Sequence, residues 1–183
     1  MSPRRQDADR RLGELILYIA QKSAGDRRFG DTKLNKLLYF ADFVAYAALG
    51  EPVTGAVYQK LPHGPCPRRL IPVRDQLLAD GAVDLVTEGV GWPRKRTVAK
   101  RQPDLRGFTG EQVALIDEVI EHFWHYNARD IEGASHRVSV GWQLANMNED
   151  IPYETALATG KPPSEDELEV ARARFGDLGL IEA

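Results

Sequence analysis

Cys66 lies between Pro65 and Pro67, three residues after His63. A cysteine nucleophile acts as its thiolate and needs a base or a helix N-terminus beside it. Both are conceivable here, but a lone cysteine in a proline-rich segment is explained more simply as a small packed side chain. Asp130, Ser135 and His136 are the residue types of a hydrolase triad. Triads assemble from distant segments, so their spacing along the chain carries no information, and no Gly-x-Ser-x-Gly elbow surrounds Ser135. A structural role is expected instead, with Asp130 capping a short helix and Ser135 and His136 satisfying its end. His122 and His125, with Glu118 and Glu121 on neighbouring turns, are the types that hold a divalent metal. The i, i+4 spacing of zinc proteases is absent, and an amphipathic helix with partly exposed histidines accounts for the pair. No phosphate-binding glycine loop occurs. The expectation is a protein that is not an enzyme and has no cofactor and no metal. A Ser/His or Cys/His hydrolase stands as an alternative.

A second set of residues suggests binding. Arg94, Lys95, Arg96, Lys100 and Arg101 cluster around one candidate strand, and Arg68, Arg69 and Arg74 lie at the helix before it. Residues 1–101 hold 18 Lys+Arg against 11 Asp+Glu, and residues 102–183 hold 6 against 16. Such asymmetry points either to a charged partner for one face or to internal pairing.

The elements that must position these residues follow from periodicity and turn chemistry. Residues 1–10 are polar and expected to fray. Leu12, Leu15, Ile16 and Ile19 have helical spacing, so a first helix is predicted from Arg11 to about Ser23. A second begins with Asp31 as its cap, carries the stripe Leu34, Leu37, Leu38, Ala41, Val44, Ala45, Ala48, and stops at Gly50. Residues 53–61 read as extended. Three prolines between Pro62 and Pro67 forbid a helix and predict a loop. A helix over Leu70–Ala79 precedes two short strands at 82–87 and 94–99. Thr109 and Gln112 form a capping box for a helix ending near Asn127, with short helical pieces beyond it. Ser164 and Glu167 form another capping box for a helix to about Leu178. The expected fold is α+β and helix-dominated, with a short antiparallel sheet from residues 53–61, 82–87 and 94–99. Its first six elements follow the order of a winged helix. That order would place Arg68, Arg69 and Arg74 in a major groove and Arg94, Lys95 and Arg96 on a wing, a DNA-binding regulator.

The length of 183 residues and the 43% apolar content fit one globular domain. No apolar run is long enough to span a bilayer, and no apolar stretch follows Arg4 and Arg5 as in a secretory signal. A single cysteine excludes an internal disulfide. These features predict a cytoplasmic protein with no membrane partner.

Lys33-Leu34-Asn35-Lys36-Leu37-Leu38-Tyr39-Phe40-Ala41-Asp42 resembles the KLxKLLYFA signature of the Panacea domain, the SocA-like antitoxin domain. Gly50-Glu51-Pro52-Val53 resembles the Gly-x-Pro turn after that helix, and His63-Gly64-Pro65 resembles the Gly-Pro motif before the next one. Asp130 to His136 resembles the motif ending in Ser-His, followed by Trp142. The resemblance covers about residues 11–160, leaving 161–183 as a C-terminal helix on the same domain. It implies an antitoxin, related to proteins found beside phage and mobile elements, that neutralises a partner toxin by direct contact, some members acting as proteolytic adaptors. It implies no catalysis. A protease, operator DNA and a second copy of the chain are further partners compatible with that role. Within the motifs, Lys33, Leu34, Leu37, Leu38, Tyr39, Phe40, Ala41 and Asp130 are expected to be structural.

The partner surface is expected around His63, Gly64, Pro65, Arg68, Arg69, Ser135, His136 and Trp142. The helices use their apolar stripes for packing, whereas these residues fall in or near loops. Apolar and aromatic anchors flanked by arginines are the usual makings of an interaction hot spot.

Overall fold

The computed structural model describes residues 3–89 and 93–158. The predicted C-terminal helix and its Ser164 capping box lie outside the described residues. The chain forms helices α1 (Pro3–Lys22) and α2 (Asp31–Leu49), strands β1 (Tyr58–Leu61) and β2 (Gly64–Pro67), and helix α3 (Leu70–Ala79). Strands β3 (Val83–Glu88) and β4 (Arg94–Ala99) follow, then helices α4 (Gly110–His122), α5 (Ala128–Val138) and α6 (Val140–Leu144), strand β5 (Asp150–Ile151) and a 3-10 turn over Tyr153–Leu157. The fold is α+β and helix-dominated, as the periodicity indicated.

Helix α2 is the axis of the molecule. Helices α1, α4 and α5, strands β2 and β4 and the 3-10 turn all pack on it. Leu34, Leu37, Leu38 and Ala41 are buried as predicted, but so are Tyr39, Phe40 and Phe43 on other faces. Val44 and Ala48, assigned to the apolar stripe, face solvent instead. Gly30, not Asp31, occupies the N-cap position. Asp31 lies in the first turn and pairs with Arg74 at 2.9 Å. Gly50 takes a left-handed conformation (φ 80°) and its N–H closes the helix on Tyr46 O. Helix α1 starts at Pro3, eight residues before the predicted start at Arg11, so most of the segment expected to fray is helical.

The strands form two sheets rather than one. β3 and β4 pair antiparallel from Val83↔Ala99 to Glu88↔Arg94. β1 does not join them; it lies between β2 and β5, pairing Tyr58↔Pro67 and Tyr58↔Ile151. The order of a winged helix is therefore present without its sheet. The predicted loop 62–67 holds strand β2, because proline excludes a helix but not an edge strand. Pro65 and Pro67 are two residues apart, so both nitrogens can face the open side of the edge. Asn35 Nδ2 donates to Pro65 O at 3.2 Å on that side.

Candidate functional site

A helix enclosed on all sides over much of its length must bury some of its charged residues, and α2, enclosed from Lys33 to Phe43, buries three: Lys33, Lys36 and Asp42. Each is held by atoms distant in sequence. Lys33 Nζ donates to Asp26 Oδ2 (2.6 Å), Trp124 O (2.8 Å) and Tyr126 O (2.9 Å), using all three protons. Asp42 accepts from Thr54 N (2.6 Å), Thr54 Oγ1 (2.5 Å) and Tyr58 OH (2.8 Å). Burial pushes its carboxyl above the ordinary range, and these hydrogen bonds oppose that rise. The Gly50–Val53 turn is what brings Thr54 to Asp42.

Lys36 is different. Its side chain is 0% exposed, and its only hydrogen bond among the described residues goes to His63 O, in the turn between β1 and β2. Burial pulls its pKa down to about 8, with Cys66 and Glu132 nearby as opposing influences. Gly64 has φ 105°, and a Cβ on it would collide with Lys36 Nζ and lie 3.0 Å from Ser135 Oγ. Ser135 is also 0% exposed, and its hydroxyl donates to Glu132 O at 2.7 Å. The Lys36, His63-Gly64-Pro65 and Ser135-His136 segments thus converge on one buried point.

The outer layer of this cluster reaches solvent. Glu132 Oε1 is 3.1 Å from Nδ1 of the exposed His63. The His136 ring stacks on Trp142 with centroids 4.0 Å apart and planes within 5°. Burial lowers the His136 pKa, so the ring packs as a neutral group more readily. Trp142 Nε1 donates to Leu61 O (2.9 Å), and Lys60 Nζ lies 4.7 Å over the indole while donating to Ala145 O. In the same chain segment Val138, Leu144 and Met147 are 62%, 79% and 52% exposed.

Trp142 is thus half core and half surface. Of the residues expected at a partner surface, Gly64, Pro65 and Ser135 are buried and His63 is exposed. Arg68 bonds Asp150, Gln59 and Asn148 O, and Arg69 pairs with Asp9 at 2.9 Å. Sequence reasoning did not single out Lys36, Glu132, Leu144 or Met147. Lysines at i and i+3 within an otherwise apolar helix were a readable signal for Lys36. Nothing local marked the other three.

An amine, a hydroxyl and a thiol within one cluster are nucleophile types, but their setting is a packed one. Lys36 and Ser135 are sealed from solvent, and burial raises the Cys66 thiol pKa against the opposing charges of Lys36 and Arg74. Asp130 is away from Ser135: it is the third residue of α5, closing a capping box with the N-cap Asn127 rather than acting as the cap itself. Helix α4 ends at His122, so His125 lies in the following turn. Among the described residues no group of three His, Cys, Asp or Glu side chains is placed to hold a metal.

The basic cluster is mostly paired within the basic half. Arg94 faces Glu88, Lys100 faces Asp84, Arg101 faces Glu14 and Arg74 faces Asp31. Arg96, expected on the wing, is buried. Its guanidinium donates to Ser23 O and Asp26 O, both at 3.0 Å, closing the end of α1. Asp75 and Asp80 lie on the solvent face of α3, where a recognition helix would meet phosphates.

The model of the SocA-like antitoxin family with the Panacea domain matches residues 34–143. The chain belongs to this family. No curated protein and no solved structure matches it. The matched span of the Panacea domain runs from within α2 to within α6 and contains the Lys36–Gly64–Ser135 convergence, His136 and Trp142. Membership places the chain in a toxin–antitoxin system in general terms. Among the described residues no helix of this antitoxin is long and apolar enough to cross a membrane.

Proposed function

We propose that this antitoxin neutralises its toxin by direct, non-catalytic contact through the face formed by His63, His136, Trp142, Val138, Leu144 and Met147. The observation that carries this reading is the exposure of three apolar side chains, Val138, Leu144 and Met147, in the chain segment that carries the His136–Trp142 stack. Exposed aliphatic side chains beside a pinned aromatic pair bind with little ordering cost, because their support is already ordered. Lys36, Gly64 and Ser135 supply that support from below, and Arg68 lies at the rim with Asp150. Lys36 and Ser135, the amine and hydroxyl of the cluster, are sealed from a substrate, which favours binding over hydrolysis. Toxin and antitoxin co-expression tests it. Leu144→Glu with Met147→Glu should abolish rescue of growth and co-purification while leaving the thermal midpoint unchanged. A folded double variant that still neutralises as wild type would remove this face from consideration.

A further inference from the structure

Helix α1, which precedes the matched Panacea span, and the segment before β1 enclose a cleft of about 470 Å³. We infer that this cleft binds a short acidic peptide segment of a partner protein. Its floor is apolar: Ala8 from α1, then Ala56 and the half-exposed Val57. Its rim carries four arginines, Arg4, Arg5, Arg68 and Arg69, against two carboxylates, Asp9 and Asp150. The inner arginines are already balanced. Arg69 holds Asp9 through three contacts of 2.9–3.2 Å, and all of the donors Arg68 uses go to Asp150, Gln59 and Asn148 O. Arg4 and Arg5 are the surplus, since among the described residues neither has an ion-pair partner within 4.0 Å.

That surplus is placed against the local electrostatics. The first turn of α1 contains no acidic residue and two arginines, where the helix dipole favours negative charge. Adjacent cations on the positive end of a helix, beside a third and fourth arginine, are a local cost that an incoming carboxylate relieves. A peptide fits better than a nucleic acid. The Ala8–Val57 floor suits the methylenes of glutamate or a neighbouring aliphatic residue, which a phosphate backbone lacks. The cleft is also concave and small, suited to a few side chains rather than to a duplex.

The test uses the full chain and needs no toxin, so its outcome is independent of the face proposed above. A fluorescein-labelled hexaglutamate peptide is titrated by anisotropy beside its hexaglutamine counterpart and a short DNA duplex. The glutamate peptide should bind at least about tenfold more tightly than the glutamine peptide, and weaken as salt rises. Arg4→Gln with Arg5→Gln should remove at least about tenfold of that affinity, whereas Arg106→Gln, an exposed arginine elsewhere, should not. Both targets are exposed, so circular dichroism should report an unchanged fold. Equal binding of the two peptides, or an unaffected double variant, overturns the assignment. Tighter binding of the duplex at the same arginines assigns the cleft to phosphate instead. Dissociation of a dimer by the double variant assigns it to a second copy of this chain.

Discussion

The ammonium of Lys36, buried in α2, donates to the backbone carbonyl of His63, 27 residues further along the chain. This contact ties the central helix to the turn that carries His63 and, through Glu132 and Ser135, to α5. The turn is thereby fixed relative to the His136–Trp142 stack. The cost is a desolvated charge with one partner in place of three.

That cost makes stability depend on pH. Lys36 titrates near 8 in the fold and near 10.5 in an open chain. Between those values the unfolded chain holds a proton that the folded chain has released, so stability rises with pH across this window. At ~1.4 kcal/mol per unit the gain approaches roughly 3 kcal/mol. Tyr39, pushed up to about 12 by burial, opposes it above pH 10, where the unfolded chain ionises first. Urea midpoints should therefore climb from about pH 7.5 to about pH 9.5, and Lys36→Met should flatten the climb. A variant with the wild-type slope would place the titration on another group.

Gly64→Ala should destabilise the fold by at least about 2 kcal/mol. Part comes from a left-handed backbone, of order 1–3 kcal/mol, and part from the collision with Lys36 Nζ. Adding Lys36→Ala should recover only the collision part. A double-mutant cycle on denaturation free energies measures it, and strict additivity would mean the two residues do not meet.

Asp42→Asn should cost about 2–4 kcal/mol, because an amide keeps one acceptor oxygen and must turn its NH2 group either toward Thr54 N or toward Thr54 Oγ1 and Tyr58 OH. Tyr58→Phe removes one donor and keeps the ring, so about 1–2 kcal/mol is expected. Calorimetry of both variants checks the order; a Tyr58→Phe loss exceeding that of Asp42→Asn would contradict the network as described.

Arg96→Ala should lower stability by about 2–3 kcal/mol, since it removes buried charge-assisted hydrogen bonds to the carbonyls of Ser23 and Asp26 after α1. The effect should persist at high salt, as expected for a buried group. A wing arginine on DNA would behave otherwise: stability would be untouched and only salt-sensitive binding would fall. Thermal melts at low and high salt separate the two.

Leu37→Ala should cost roughly 2–5 kcal/mol, the range for emptying a fully buried leucine site. A loss below about 1 kcal/mol, on the same scale, would mean that α2 is not the packed axis.

The amino-acid sequence by itself determined the features that depend on neighbours a few residues apart. Helical spacing located the cores of α1 and α2, the Thr109–Gln112 box started α4 one residue before Gly110, and the turn residues around 88–93 announced the β3–β4 hairpin. The ordered motifs around Lys36, Gly64 and Ser135 identified the family. Tertiary structure alone decided which atoms those motifs meet. Periodicity says which face of a helix is apolar, but it cannot say that α2 is enclosed on all sides from Lys33 to Phe43. Only that enclosure forces Lys33, Lys36 and Asp42 to find partners at Tyr126, His63 and Thr54. Likewise the composition of Gly64–Pro67 excluded a helix, while β1 supplied the edge that made it a strand. The charges of Arg68, Arg74 and Arg96 were visible in the sequence, but their neutralisation by Asp150, Asp31 and the end of α1 was not. Pairing is a property of distances through space, and those are set by the packing of whole elements rather than by any local run of residues.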